Sequence, residues 1–231
     1  MRNCIKYFVV ACLAISFGCS SDDSGSDNNP GGGLVAQATY KITFEPSFSE
    51  DDYPIDYPAN PSFTKMFVMA HSSSSSLFNI GSAASDGLKK YVTEGDVSLL
   101  QSEHTTDEGA SNSTKIEIGN DINATGSSDS VTIVVNPDLL EISFVSKLSP
   151  SPDWFVGVSS FSIANPDNSL VEFMSIPLYP MDGGADAGTS YESPDEPETG
   201  PVTIINGDPF TPPSGGNLNK SIGSLIIERI N

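Results

Sequence analysis

The chain has 231 residues, enough for one domain of ordinary size or one large β-domain. Its 30 acidic and 10 basic residues give a formal net charge of −20, which argues against nucleic-acid binding and against docking on anionic lipid through a basic patch. Apolar residues make up 37% of the chain, which is sufficient for a core and argues against global disorder.

The first 18 residues are typical of a signal peptide. Arg2 and Lys6 form a basic start, residues 7–17 form a short apolar segment, and a small residue follows before Cys19. A cysteine directly after such a segment resembles the lipobox of bacterial lipoproteins, in which the cysteine is lipidated and becomes the new N-terminus. We therefore predict that residues 1–18 are removed and that Cys19 is lipidated. An ordinary cleaved signal is the alternative.

Residues 19–35 are predicted to be a lipidated, flexible tether, because they are polar, glycine-rich and without periodicity. The acidic run after the cysteine resembles the surface-export signal of some bacterial lipoproteins, and a merely solvated linker is an equal alternative. The other cysteines, Cys4 and Cys12, lie in the signal, so the mature chain has no pair to form a disulfide. One domain is predicted over residues 36–231.

Short strand-like segments at close spacing follow from residue 38. In the first of them Tyr40, Ile42 and Phe44 alternate with polar residues, which is the pattern of a half-buried strand. The other predicted strands cover residues 65–70, 114–118, 130–135, 141–146, 154–163, 170–176, 202–205 and 221–230. This pattern predicts an all-β fold, an antiparallel β-sandwich with at most one or two short helices. The stretch 180–219, rich in Pro, Gly and Asp, is predicted to be mostly loop.

One helix is predicted over residues 82–94. Ser82 is the expected N-cap, and Leu88, Tyr91 and Val92 fall on one face. The helix would therefore cover part of the sheet through an apolar face.

Common catalytic motifs are absent from the sequence. It contains no G-x-S-x-G, Gly-rich phosphate loop, H-E-x-x-H or C-x-x-C. The two histidines, His71 and His104, are expected to have structural or solvent-exposed roles. Serines are abundant, but no feature singles one out as a nucleophile.

Two acidic segments are candidates for metal binding. Asp153 lies in a proline-stiffened turn before a strongly apolar strand, and Asp182 and Asp186 lie four residues apart in a glycine-rich loop. Glycines let a chain curl around an ion and turn its carbonyls inward. Calcium prefers six to eight oxygen ligands of this kind. On spacing alone, such Asp-Gly clusters are more often solvated turns.

Residues 150–158, PSPDWFVGV, followed by the glycine-rich loop at 179–191, resemble the spondin N-terminal domain family of the F-spondin and mindin type. The segments ATYKITFEPSFS and DYPANPSFTKMFVMAHS also resemble that family. The resemblance covers residues 36–230. It implies a C2-like β-sandwich with bound Ca²⁺. The cysteines and the thrombospondin-type repeats of the animal proteins have no counterpart in this sequence.

The resemblance also implies the ligands of the metal. Asp153 matches the aspartate of the first motif, Asp182 and Asp186 match those of the glycine loop, and Glu117 matches a glutamate on an earlier strand. Trp154, the only tryptophan, is expected to be a core aromatic; a ligand-stacking residue is the alternative.

These observations predict a lipid-anchored protein of the outer membrane or cell surface that acts in extracellular binding or adhesion. We expect an extracellular protein or glycan of unknown identity as the partner, contact with the membrane only through the anchor, and no nucleic acid. We expect no catalytic activity. A metal-dependent hydrolase and a purely structural envelope lipoprotein are the alternatives.

Overall fold

The computed structural model describes residues 37–105, 114–213 and 220–231. The predicted signal peptide, Cys19 and the tether lie outside these residues. Two helices are described, α1 (Asp86–Glu94) and α2 (Ser98–His104). The strands are β1 (Ala38–Pro46), β2 (Ser62–Phe63), β3 (Phe67–His71), β4 (Lys115–Ile118), β5 (Ile122–Asn123), β6 (Asp129–Val135), β7 (Glu141–Ser149), β8 (Trp154–Ser162), β9 (Phe173–Leu178), β10 (Met181–Asp182), β11 (Thr203–Ile204) and β12 (Gly223–Arg229).

The first sheet contains four antiparallel strands in the order β6-β1-β12-β9. Strand β1 lies inside it, with Ile42 opposite Val131 of β6 and Ile227 of β12. Burial alternates along β1, as the sequence pattern predicted, because successive side chains of a strand point to opposite faces. One face of this sheet therefore lies on the core and the other meets solvent.

The second sheet follows the order β11-β10-β8-β7-β2-β5, and β3 and β4 extend it beside the first half of β7. All five residues of β3 and the seven central residues of β7 are buried. These strands do not alternate because both of their faces are covered, one by the first sheet and the other by the helices.

Two groups of apolar side chains hold the layers together. Between the sheets, the ring of Phe44 lies 5.0 Å from that of Phe63 and 5.2 Å from that of Phe144. On the outer face of the second sheet, Leu88, Tyr91 and Val92 of α1 belong to a second cluster that contains strand residues. The two sheets and two short helices confirm the all-β sandwich.

Helix α1 begins later than the sequence predicted. Its N-cap is Ser85 rather than Ser82, because the Oγ of Ser85 accepts a hydrogen bond from the backbone N–H of Leu88 at 3.1 Å. Glu103 of α2 reinforces this end by accepting hydrogen bonds from the Ser85 hydroxyl at 2.6 Å and the Gly87 N–H at 2.7 Å. The predicted apolar face of the helix is buried as expected.

Three of the four shortest strands were not predicted, and β11 is the exception. Strands β2, β5 and β10 have two residues each, which is too short to carry a periodic pattern. Within residues 180–213 the structure contains only β10 and β11, so the predicted loop character of that part is confirmed. None of the described helices is long and apolar enough to span a membrane.

Candidate functional site

Asp153 lies in the tight turn that joins β7 to β8. The hydroxyl of Ser151 closes this turn by donating to the carbonyl oxygen of Leu148 at 2.6 Å and accepting from the N–H of Trp154 at 3.1 Å. Asp153 has no exposed surface. The turn therefore holds a carboxylate in the interior, where an ionised group needs partners.

The two oxygens of the Asp153 carboxylate have different environments. Oδ2 accepts hydrogen bonds from the backbone N–H groups of Ala185 at 2.7 Å and Asp186 at 3.2 Å. Oδ1 is buried and has no hydrogen-bond partner among the described residues. Since buried polar atoms are almost always paired, the unpartnered Oδ1 is an exception that requires an explanation.

The glycine-rich loop brings two more carboxylates to the same place. Asp182 lies on β10 opposite Trp154, and its Oδ1 accepts from the N–H of Gly184 at 2.8 Å. Asp186 is 5% exposed, and its Oδ1 accepts from the N–H of Gly188 at 2.8 Å. Both contacts join an aspartate to the residue two positions later, a local bond that short acidic side chains commonly form in turns.

Burial and mutual repulsion change the acidity of this cluster. Burial raises the pKa of Asp153 to about 6, and the charges of Asp182 and Asp186 add to that rise against the two backbone hydrogen bonds. Burial also raises the pKa of Asp182, with the charge of Asp186 acting in the same direction. Of the four residues predicted as ligands, the structure thus brings three aspartates together.

Glu117 is not part of this cluster. It is exposed on β4, opposite Val68 of β3, and the sheet continues through β7 to β8 before reaching Asp153. Strands lie about 4.8 Å apart, so three spacings separate β4 from β8 by roughly 14 Å. The structure therefore does not bring Glu117 together with the three aspartates.

The glycine loop also differs from the prediction in its orientation. Carbonyls turned toward an ion were expected, but the carbonyl oxygen of Gly184 accepts from the N–H of Gly200 at 2.8 Å and that of Ala185 from Glu198 at 3.0 Å. The loop instead turns N–H groups toward Asp153. Gly184 has a φ of 64°, a conformation that glycine adopts without strain.

The carboxylates do not form a ready-made coordination shell. Among residues 37–105, 114–213 and 220–231, no three His, Cys, Asp or Glu side chains form a group that could hold a metal ion as they stand. Backbone N–H groups already bind at least one oxygen of each of the three aspartates. Binding of a metal here would use the unpartnered Oδ1 of Asp153 and require local adjustment of the other aspartates.

Lys147 is a charged neighbour that the sequence analysis did not single out. It is 4% exposed, and its Nζ donates to the carbonyl oxygen of Ser151 at 3.0 Å. Burial lowers the pKa of Lys147 to about 8, although the charges of Asp153 and Asp186 favour its ionised form. A lone lysine in the apolar segment EISFVSKLS was the available signal, because lysine is rarely buried without partners.

The other aromatic and imidazole candidates have structural surroundings. His71 is fully buried, with Nδ1 2.9 Å from the carbonyl oxygen of Ser72 and Nε2 2.8 Å from the hydroxyl of Ser143. Burial lowers the pKa of His104, whose Nε2 has no partner among the described residues. Trp154 is 3% exposed and packs edge-on against neighbouring rings, so its predicted role as a core aromatic is confirmed.

The fold and this site define a class of protein, a two-sheet antiparallel sandwich with an aspartate-rich loop packed against one interstrand turn. The sequence matches the Spondin_N family over residues 38–213. The chain belongs to the spondin N-terminal domain family.

Two relatives show the extent of the similarity. Spondin-1 of Gallus gallus is 29% identical over 206 residues, which cover 84% of this chain and 25% of that protein. Spondin-2 of Homo sapiens is 31% identical over 163 residues, which cover 69% of this chain and 49% of that protein. The chain thus matches between a quarter and a half of the length of these relatives.

Proposed function

We propose that this protein is a lipoprotein of the outer membrane or cell surface whose spondin-type domain binds an extracellular protein or glycan. Membership of the spondin family supports the extracellular binding role. The apolar segment that ends at Cys19 supports the lipid anchor. In this proposal the protein has no catalytic activity and reaches the membrane only through its anchor.

We further propose that Ca²⁺ binds at Asp153, with Asp182 and Asp186 as additional ligands. The observation that carries this proposal is the buried, unpartnered Oδ1 of Asp153 beside two other carboxylates. Carboxylate oxygens are hard ligands of the type that Ca²⁺ prefers. The ion would neutralise the repulsion between the three aspartates and would fix the loop against the turn before β8.

Thermal unfolding with added Ca²⁺ and with a chelator tests the metal site. An ion that binds only the folded state stabilises it by about 2.7 kcal/mol when its concentration is a hundred times the Kd. We expect the melting temperature to rise with Ca²⁺ and to fall with chelator. Asp153→Asn and Asp182→Asn should abolish the response, and Asp186→Asn should weaken it.

Glu117→Gln is the matched control, because it removes one carboxylate at a distance from the cluster. Its response to Ca²⁺ should equal that of the wild type. An unchanged melting curve between chelator and millimolar Ca²⁺ would contradict the calcium proposal, and the aspartates would then be turn residues without a metal-binding role.

The binding role is tested with an array of glycans and matrix proteins. We expect saturable binding of at least one class, and Asp153→Asn should weaken it if calcium shapes the binding face. An array without any saturable binder would favour a purely structural envelope component.

A further inference from the structure

An apolar groove, which we call the β8 groove, lies at the side of the sandwich where β8 and β9 diverge. Just after β8 the chain doubles back, and the N–H of Val171 donates to the carbonyl oxygen of Ile163 at 2.9 Å. Beyond this contact β8 stays in the second sheet and β9 joins the first, so a gap opens between them. Residues 157–160 of β8 and Ile176 and Pro177 of β9 line the groove in this gap, and its volume is about 390 Å³.

The groove borders a strand edge that has no neighbouring strand in the described part of the chain. Strand β8 pairs with β7 along most of its length, but with β10 only at Trp154 and Phe155. The second edge of residues 157–160 is therefore open, and all four residues are half-buried. Successive side chains of a strand point to opposite faces, so four consecutive residues share one groove along their backbone edge. An open edge presents N–H and C=O groups that can pair with another chain.

The side chains of this segment are occupied elsewhere. Val158 packs against the core between the sheets, and the hydroxyl of Ser159 donates to the carbonyl oxygen of Phe78 at 2.7 Å. No backbone–backbone hydrogen bond outside the strand pairings involves residues 157–160 among the described residues. The polar groups that the open edge offers to a ligand are therefore those of the main chain.

A β-bulge limits the length of this edge. Ser159 and Ser160 both lie opposite Ser143, because the register passes from the pair of Val158 with Phe144 to the pair formed by the next residues along each strand. Ser160 has a φ of 56°, and its N–H donates to the Ser143 hydroxyl at 2.9 Å. A bulge bends the strand and interrupts regular pairing. The groove therefore accepts a short strand rather than the edge of a long sheet.

Both walls of the groove are apolar. On the outer face of the second sheet, Met181 lies opposite Phe155 on β8, and the ring of Phe78 lies 5.4 Å from that of Phe155. On the other side, Ile176 of β9 packs against the core between the sheets, and Tyr179 follows that strand. Among the described residues that line the groove, none is acidic or basic, although the chain has a net charge of −20.

Exposed apolar side chains concentrate around this groove. Seven large apolar side chains are exposed in the described part of the chain, and Ile80, Tyr179 and Ile204 among them line the groove. Two more, Phe173 and Met174, lie on β9, the strand that forms one of its walls. Concentrated apolar exposure with a polar surrounding is typical of interaction sites.

We propose that the β8 groove binds an extended segment of a partner protein, which pairs with the open edge of β8 as an additional strand. In this mode main-chain hydrogen bonds supply affinity and pockets for alternate side chains supply specificity. Because both walls are apolar, three or four consecutive uncharged residues fit, and four residues of a strand span about 13 Å. This inference rests on the proposed binding role and deepens it, because it names a protein strand rather than a glycan as the ligand.

Charge favours a partner over a second copy of this chain. A second copy carries the same net charge of −20, and repulsion between like charges opposes self-association. The same charge attracts basic residues that flank the bound segment. We therefore expect a short apolar stretch next to lysine or arginine.

An array of acetylated and amidated hexapeptides KXXXXK, in which each X is Val, Ile, Phe, Thr or Ser, probes the purified protein. The tightest binder is then titrated by calorimetry, and its counterpart with glutamate at both ends tests the charge. We expect saturable binding of the lysine form and weaker binding of the glutamate form. During binding, hydrogen exchange should slow for backbone amides within residues 157–160 and stay unchanged in β1.

Backbone methylation tests whether the peptide binds as a strand. Two versions of the best peptide carry N-methyl groups on alternate central residues, one on the second and fourth positions and the other on the third and fifth. A strand turns alternate N–H groups toward its neighbour. We therefore expect one version to lose binding and the other to retain it.

The wall of the groove is tested with Ile80→Gln. Ile80 is 58% exposed, so the variant should fold as the wild type does, and we expect it to weaken peptide binding at least roughly tenfold. Ile204→Gln is a second wall variant with the same expectation. Ile230→Gln is the matched control, because it changes an isoleucine that is also exposed but lies outside the groove, and its Kd should equal that of the wild type.

The outcomes decide between the possible occupants. The proposal is overturned if no peptide saturates, if both methylated versions bind as the parent does, or if both wall variants bind as the wild type does. A dimer in sedimentation equilibrium that Ile80→Gln dissociates would assign the groove to a second copy and would also overturn it.

The array of glycans and matrix proteins separates this inference from the broader binding role. We expect Ile80→Gln to lose the binder that the wild type retains. If every binder on the array holds Ile80→Gln as tightly as the wild type, the groove assignment fails and the binding role stands. An array without any saturable binder counts against the role itself.

Discussion

The carboxylate of Asp153 accepts a hydrogen bond at 2.7 Å from the backbone N–H of Ala185, a residue 32 positions later in the chain. This contact joins the turn before β8 to the glycine-rich loop. A carboxylate accepts such bonds more strongly than a neutral carboxyl group. The protonation of Asp153 and the position of the glycine-rich loop are therefore coupled.

The first prediction concerns the pH dependence of stability in chelator. Burial raises the pKa of Asp153 to about 6 from its ordinary value of 3.8, so the folded state binds this proton more tightly than the unfolded state. Its contribution to stability is fully present below pH 3.8 and is lost as pH rises through about 6. Each pKa unit corresponds to about 1.4 kcal/mol, so the loss should be roughly 3 kcal/mol.

Urea unfolding at several pH values measures this effect. Because Asp182, Asp186 and Lys147 also face Asp153, the comparison of the wild type with Asp153→Asn isolates its contribution. We expect the variant to lose the decline between pH 4 and pH 6 and to be the more stable protein at neutral pH in chelator. Parallel pH profiles for the two proteins would refute the assignment.

The second prediction concerns Gly183. A Cβ atom at this position would lie 2.7 Å from Cγ2 of Val92 and 3.1 Å from the backbone oxygen of Asp153. Gly183→Ala should therefore force apart helix α1 and the loop and lower the free energy of unfolding by about 1–3 kcal/mol. Gly207→Ala is the matched control, since a Cβ there meets no atom within 4 Å. Chemical denaturation of both variants checks the difference, and equal stabilities would contradict the close packing.

The third prediction concerns the hydroxyl of Tyr91. It donates to the carbonyl oxygen of Lys65 at 2.6 Å and accepts from the backbone N–H of Lys147 at 3.3 Å, in a fully buried position. Tyr91→Phe should lower the free energy of unfolding by about 1–3 kcal/mol, because buried partners are left unpaired. Tyr179→Phe changes a tyrosine that is 41% exposed and should have an effect within about 0.5 kcal/mol. Similar losses for the two variants would argue against the role of Tyr91.

The fourth prediction concerns the anchor. Cys19 follows the apolar segment of the predicted signal, so we expect it to incorporate radiolabelled palmitate when the full chain is expressed in a bacterial host. Cys19→Ser should lose the label and release or mislocalise the protein. Cys12→Ser is the control, because that cysteine lies inside the predicted signal. A wild-type protein that takes up no label would refute lipidation.

The sandwich was predictable because the residue pattern of each long strand indicates whether one or both of its faces are buried. In β1 one face meets the core and the other meets solvent, so apolar and polar residues alternate. In β7 both faces are covered, and its apolar run indicated a strand without indicating what covered it. The start of α1 was misplaced by three residues because both Ser82 and Ser85 are good N-caps, and only the contact with Glu103 of α2 favours Ser85.

The site was predictable in part, because its aspartates stand beside prolines and glycines, which mark turns in a sequence. Glu117 was assigned by the family resemblance, and the order of strands in the second sheet places it away from Asp153. The partners of Lys147 and the open edge of β8 depend on how segments are placed in the folded chain. No local pattern in the sequence contains that information.

The start of β1 and the end of β12 lie side by side at the same end of the first sheet. The N–H of Ile230 donates to the carbonyl oxygen of Thr39 at 2.8 Å, and β6 also ends beside Ala38. From there β7 runs the length of the sandwich, nine residues or roughly 30 Å, before the chain turns at Asp153. A reporter protein or neighbouring domain fused before Ala38 or after Asn231 would therefore lie at the end of the sandwich opposite the aspartate loop. The end that carries the loop would stay accessible to a partner.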